Sequence, residues 1–207
     1  MHADDALTLA AYRRRVHAIY AAVRGSDNPR EAWLGWRAGR DQLFGTHKQS
    51  PIDVDRRDRF GGLRYFDYSP DHRFEAPFEP VQGTPTLIGH SAEGETRFTP
   101  AGVVRVPFDG ADESLTVYWL DAYGGGLFLP FRDATSGDST YGGGRYLLDT
   151  VKGADLGGSA GKLIIDFNFA YHPSCVYSHR WSCPLAPEEN WLTRNVEAGE
   201  RLPDPLD

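Results

Sequence analysis

The stretch His172–Pro184, "HPSCVYSHRWSCP", holds both cysteines of the chain and two of its seven histidines. His172, Cys175, His179 and Cys183 follow the pattern H-x2-C-x3-H-x3-C, four side chains with the chemistry of zinc ligands but without a familiar zinc spacing. On one continuous helix they would share a face, yet Pro173, Tyr177 and Trp181 give a helix little support and the segment also reads as a loop. Three states stay open for the cysteines: zinc ligation, a Cys175–Cys183 bridge closing a short loop, or reduced side chains used for packing. Packing carries the most weight, so no metal is assigned and these four residues stand as reserve metal candidates.

A second source of chemistry is "NPREAWLGWRAGRDQLFG", residues 28–45. At ~100° per residue from Trp33, a helical wheel puts Trp36 at ~−60°, Arg40 at ~−20°, Phe44 at ~20° and Arg37 at ~40°. Arg40 thus falls inside an apolar stripe. A guanidinium there must snorkel out, pair with a buried carboxylate or face a polar cavity, because an unpaired buried cation costs several kcal/mol. Either Arg40 forms a structural ion pair, or Arg37 and Arg40 line a pocket for a carboxylate or phosphate, which the planar guanidinium fork suits. His47, in the following "THKQSPI", sits at the helix C-terminus, where the dipole favours its charged form. It is the acid/base candidate if the arginines face a cavity, against a plain capping role. Ser50 before Pro51 reads as an extended turn.

"FRDATSGDSTYGGGRY", residues 131–146, adds Asp133, Thr135, Tyr141, Gly143 and Arg145 around a loop between strands. Its three successive glycines permit close approach of a ligand or of a neighbouring strand. The spacing is not the dinucleotide fingerprint, and "GGSAGKL" is not a phosphate loop, since Leu156 and Leu163 stand where glycine and Ser/Thr are required. Asp133 and Asp138 lack calcium-loop spacing. Asp166 and Asn168, in "IDFNF", complete the set. The expectation is an anionic guest held by Arg37, Arg40 and Arg145 with Asp133, Thr135, Gly143 and Asn168 around it. His47 would be acid/base, Tyr141 donor and Asp166 orienting carboxylate.

These residues need elements to position them. Leu9, Tyr12, Val16, Ile19, Tyr20 and Val23 recur at helical steps, predicting a helix over 4–24 with Asp4 or Asp5 as cap and Gly25 after its end. A second helix starts at the Asn28 cap with Pro29 and a Glu31 capping box, and ends at Gly45. From about residue 60 the chain turns to short β-rich runs: 73–80, 86–90, 96–106, 114–121, 127–132, 145–151 and 162–169. The loops between them are too short for crossover helices. The expected fold is therefore mainly β of the α+β class: an antiparallel meander, barrel-like or sandwiched, with two N-terminal helices packed on it. One domain over 1–207 is expected, with a helical segment 1–45, a β core 60–170, and a Cys/Pro-rich irregular segment 171–207. From Pro184 onward the tail should wrap the surface, anchored by Trp191 and Leu192.

At 207 residues with 40% hydrophobic and 25% charged side chains, the chain has ordinary globular composition. A net charge of −7 and the lack of any Lys/Arg run argue against nucleic acid as a partner. No apolar run is long enough for a membrane helix, and the acidic start lacks the form of a signal peptide. Two cysteines agree with a reducing compartment, so the cytoplasm is the expected location. No motif names a cofactor or an oligomeric state.

"RDQLFGTHKQSPI", "FRDATSGDSTYGGGRYLLD", "IDFNFAYHPSCVYSHRWSCPLAPEENWL" and "VEAGER" together resemble the uncharacterised bacterial and archaeal proteins grouped as domain of unknown function 1684, from about Trp36 to Glu200. The resemblance implies no activity. It implies cysteines like Cys175 and Cys183, with Asn or Pro more usual near His172 and His179, so a four-ligand zinc site would be peculiar to this chain.

Overall fold

In the computed structural model, which describes residues 3–108 and 110–203, two helices lead the chain. Helix α1 is Ala3–Arg24 and α2 is Pro29–Thr46. Asp4 and Asp5, expected as caps, lie inside the first turn of α1, where negative charge complements the dipole. Asn28 does cap α2, its side chain accepting from the N–H groups of Arg30 (3.1 Å) and Glu31 (3.2 Å). The reciprocal partner of the expected capping box differs, because Ser26 Oγ, not Glu31, receives the Asn28 N–H at 3.3 Å. Helix α2 also runs one residue past Gly45 and ends on an extended His47.

Among the described residues, eight strands follow: β1 Arg73–Pro80, β2 Thr86–Gly89, β3 Glu95–Phe108, β4 Ala111–Leu120, β5 Leu127–Phe131, β6 Arg145–Asp149, β7 Gly158–Ser159 and β8 Lys162–Asp166. All pair antiparallel, in the order β6-β5-β4-β3-β1-β8-β7, with β2 also on β3. The sheet curls into a half-barrel with the two helices packed against it, as the periodicities predicted. Bulges at Pro100/Gly102 and Leu129/Pro130 sharpen the curl, since an extra residue on one strand increases local twist. Gly102 is required at the first of them: a Cβ there would stand 2.3 Å from the Phe78 ring on β1.

The concave face is filled by apolar side chains that include Val104, Leu115, Leu129, Phe131 and Phe167, all fully buried. A second cluster joins the helices to the sheet through Tyr20, Trp33, Trp36 and Phe169. Trp33 Nε1 donates to the Asn168 carbonyl at 2.9 Å, tying α2 to the turn after β8.

The tail differs from expectation. Instead of lying on the surface, it packs into the core of the sheet: Asn190, Leu192, Val196, Ala198 and Glu200 are buried, and Leu192, the expected anchor, donates its N–H to the Arg132 carbonyl at 2.7 Å. Trp191, in contrast, stays 45% exposed beneath the Arg132 guanidinium. Among the described residues, no helix is long and apolar enough to cross a membrane.

Candidate functional site

Helix α2 turns Trp33, Trp36, Arg40, Leu43 and Phe44 inward, so the cation predicted inside the apolar stripe is there, 8% exposed. Its partner comes from the far end of the chain. Arg40 Nη2 donates to Glu200 Oε2 at 2.6 Å, and Arg40 Nε donates to Tyr65 Oη at 3.2 Å. Glu200 is completely buried and receives two further bonds, from the His172 backbone N–H at 3.0 Å and from the Tyr177 hydroxyl. Burial outweighs these donors and the Arg40 charge and lifts the Glu200 carboxyl to about 7. Arg40 moves further up from an already high value, with Glu200 the main cause that raises it, so the guanidinium keeps its charge.

Arg40 also borders a cavity of about 110 Å³ between the helices and the segment after β8. Its walls include Tyr12, Tyr20, Arg40, Tyr171, His172 and Cys183. Two buried polar atoms in that wall have no hydrogen-bond partner: Tyr20 Oη and His172 Nδ1. Tyr20 Oη and Trp36 Nε1 approach each other without closing a bond. His172 Nε2 accepts the Tyr141 N–H at 3.1 Å, which assigns the ring proton to Nδ1. Burial, then Arg145 and Arg40, push His172 well below its ordinary value, so it is neutral and its 3.9 Å approach to Glu200 Oε1 is not an ion pair. Burial likewise holds Tyr20 up at about 12 and Tyr171 well above the usual phenol range. The wall therefore offers two cations, Arg40 paired with Glu200 and Lys152 paired with Asp149 at 2.9 Å, beside neutral donors.

The other predicted site residues are placed elsewhere. Arg145 lies beneath the tail: its Nη1 donates to the carbonyls of Ala198 (2.5 Å) and Glu200 (3.3 Å), its Nη2 to Val196 (3.0 Å) and to Asp133 Oδ1 (3.2 Å). Asp133 Oδ2 accepts from Val196 N–H at 2.8 Å and from Thr135 Oγ1 at 2.8 Å. The expected grouping of Asp133, Thr135 and Arg145 thus exists, but its partners are protein groups. Arg37 is on the other flank of α2, stacked over Trp33 (4.5 Å) and Tyr65 (4.7 Å). Arg37, Arg40 and Arg145 do not converge on a single cavity. Arg40 and Arg145 instead meet on the chain's own Glu200, one on its side chain and one on its backbone.

Nor do His47, Tyr141 and Asp166 converge. His47 lines a separate, mostly apolar groove of about 500 Å³ between α1 and α2, with Nδ1 accepting the Gln49 N–H at 3.1 Å. Contrary to the helix-dipole expectation it shifts below its usual value, by burial and then by Arg15 and Arg57. Asp166 borders a third cavity of about 310 Å³, with Arg73 Nε at 3.8 Å from its Oδ2, and burial raises it to about 6. Asn168 is fully engaged, donating to the Ser69 carbonyl and to Asp166 and accepting the Ser69 N–H. Gly143 serves packing, because a Cβ would stand 2.5 Å from the Tyr141 ring and 2.7 Å from Leu185.

The reserve zinc ligands do not assemble: His172 is buried, His179 is exposed, and among the described residues no three His, Cys, Asp or Glu side chains converge as a metal site. Both cysteines are free thiols and half-buried. Sequence reasoning missed Glu200 as a site residue. The two-step spacing of Val196, Ala198 and Glu200 is the signal that could have found it, since alternate residues of an extended segment share a face.

A family model described as a protein of unknown function, DUF1684, matches residues 58–201. A solution NMR structure of an uncharacterised protein of Haloarcula marismortui is 39% identical, the match covering 80% of this chain and 89% of that one, with a TM-score of 0.57. No curated protein matches.

Proposed function

The chain belongs to the DUF1684 family, whose description carries no activity, and we propose that it binds a small anionic group, a carboxylate or a phosphate, in the cavity beside Arg40. The observation that supports this most is a permanently charged guanidinium bordering a cavity whose wall also holds two unpartnered polar atoms, Tyr20 Oη and His172 Nδ1. Buried polar groups are rarely left without partners, and a site that leaves them open is suited to a guest that completes them. At about 110 Å³ the space takes about four waters or one anionic headgroup, well below the ~300 Å³ of ordinary ligand pockets. The guest is therefore small, or only its charged end enters.

Glu200 is the internal competitor. While ionised it satisfies Arg40, and a second anion would meet its repulsion. With its carboxyl at about 7, a proton can neutralise it near neutral pH and leave the Arg40 charge for the guest. Binding should accordingly take up a proton, and affinity above pH 7 should fall by up to about tenfold per pH unit, following the protonated fraction.

Titration of the full chain with acetate and with inorganic phosphate at pH 6 and pH 8, followed by melting temperature and calorimetry, tests this. Stabilisation by either anion, greater at pH 6 for acetate and lost in Arg40→Met, is expected. Tyr20→Phe removes one oxygen only and should weaken the effect without unfolding the chain. The proposal fails if neither anion stabilises, or if Arg40→Met leaves the effect unchanged. The internal pairing of both buried arginines favours a second reading, a structural or interaction module whose ions fix the tail, and that reading predicts stability losses with no dependence on added anion.

A further inference from the structure

Asp166 ends β8 and is 1% exposed, and its two oxygens are treated differently. Oδ1 accepts from the Asn168 backbone N–H at 3.0 Å and from Asn168 Nδ2 at 2.8 Å. Asn168 is itself tied to the Ser69 backbone, so the carboxylate is held in place. Oδ2 is buried and has no hydrogen-bond partner. Arg73 Nε stands 3.8 Å from it, an ion pair by charge but too long for a hydrogen bond. A carboxylate oxygen left open in this way is costly, because burial removes water without supplying a donor.

Asp166 and Arg73 both belong to the wall of the cavity of about 310 Å³ at the turn from α1 to α2, beside β7 and β8. That size is at the lower end of ordinary ligand pockets, about 300–1,000 Å³. The rest of the wall divides by chemistry. Val23, Ala32, Leu156, Ile164 and Phe169 are apolar, while Arg24 adds a second guanidinium, anchored through Nη1 on the Asp155 carbonyl at 2.6 Å.

These charges select among guests. An anion alone would suit Arg73 and Arg24 but would meet the Asp166 charge and leave Oδ2 without a donor. A cation alone would complete Oδ2 but would meet two guanidiniums. A molecule that carries an ammonium and a carboxylate on one carbon answers both, because the open acceptor and the Arg73 donor lie side by side. We infer that this cavity binds a free α-amino acid with an apolar side chain. Asp166 Oδ2 accepts from the α-ammonium, Arg73 and Arg24 donate to the α-carboxylate, and the side chain lies on Val23, Leu156 and Ile164. The space equals that of about ten waters, which accommodates the heavy atoms of leucine. This cavity shares no wall residue with the one beside Arg40, so the inference does not rest on the anion-binding reading.

Calorimetric titration of the full chain compares L-leucine with isoamylamine, which lacks the carboxylate, and isocaproate, which lacks the ammonium. At pH 7.5, above the value of about 6 to which burial lifts Asp166, the carboxylate is ionised. Leucine should bind, and each half-molecule should bind at least about tenfold more weakly, as expected when one charge-assisted contact is lost. Asp166→Asn keeps the shape and the oxygen that Asn168 uses, and should weaken leucine binding by at least about tenfold. In Arg73→Gln, a change at a partly exposed position, leucine and isoamylamine should bind alike. Arg40→Met should leave leucine binding unchanged. The inference is overturned if leucine does not bind, if either half-molecule binds as tightly, or if Asp166→Asn has no effect. Loss of leucine binding in Arg40→Met would overturn it too, by moving the amino acid to the other cavity.

Discussion

Among the described residues, two arginine–carboxylate pairs have both side chains buried, and they are built differently. Arg145 and Asp133 are enclosed by protein: three backbone carbonyls of the tail share the guanidinium, and the carboxylate also takes Thr135 and the Val196 N–H. Arg40 is held by the buried Glu200 on one side and borders a cavity on the other. Burial pulls Arg145 down from its ordinary value against Asp133, while Arg40 moves up against Glu200. The same pair of residue types thus forms a sealed rivet in one place and a half-open ion in the other. What separates them is the supply of backbone acceptors, which the tail gives to Arg145.

The largest test of that contrast is Arg145→Met. It leaves Asp133 buried without its cation and three carbonyls without a donor, and should cost about 3–5 kcal/mol in urea unfolding. The contrast breaks if Arg40→Met costs as much.

The next concerns pH. The Glu200 carboxyl, raised in the folded chain from 4.5 to about 7, makes the folded state hold more protons than the unfolded one across that window. Stability from this group is therefore full below pH 4.5 and falls as pH rises toward 7, by an upper bound of about 3 kcal/mol at ~1.4 kcal/mol per pH unit. His172 works in the opposite direction: held neutral in the folded state, it costs stability as pH drops below its unfolded value of 6.5. The two offset each other in mildly acidic solution. Glu200→Gln should expose the histidine contribution, so that variant gains stability from pH 5 to 6.5 more steeply than the parent. Parallel pH profiles of the two proteins, read by chemical denaturation, would remove the assignment.

Smaller effects sharpen the half-open side. Arg40→Met should cost about 2 kcal/mol at pH 8, typical of hydrogen bonds to a charged group, and less at pH 6, where Glu200 carries its own proton. Tyr20→Phe deletes a buried hydroxyl that has no partner, so its stability should change by less than about 1 kcal/mol, in either direction. A loss near that of a hydrogen-bonded tyrosine would show the oxygen already satisfied, and melting curves suffice to decide.

The helices and strands were legible because their burial follows simple periods. The wheel that put Arg40 among tryptophans is realised, and the β runs fall within a few residues of their predicted bounds. What was not legible is long-range choice of partner. Glu200 stands 160 positions from Arg40, in a tail whose prolines read as surface loop, and no local period links the two. The same limit applies to His47 and Asp166, each plausible by type, which the fold delivers to separate hollows. Of the three successive glycines, Gly143 and Gly144 lie at close approaches: a Cβ at Gly143 would meet Tyr141 at 2.5 Å and Leu185 at 2.7 Å, and one at Gly144 the Phe131 carbonyl at 2.4 Å.

Because the counter-charge for Arg40 stands 160 positions further along the chain, synthesis has a vulnerable interval. At ~5–20 residues per second, about 10–30 s separate emergence of the second helix from that of its carboxylate partner. Through that time the tryptophan-rich face carries a cation without its carboxylate, which opposes premature collapse and holds back burial of that face until Glu200 has emerged.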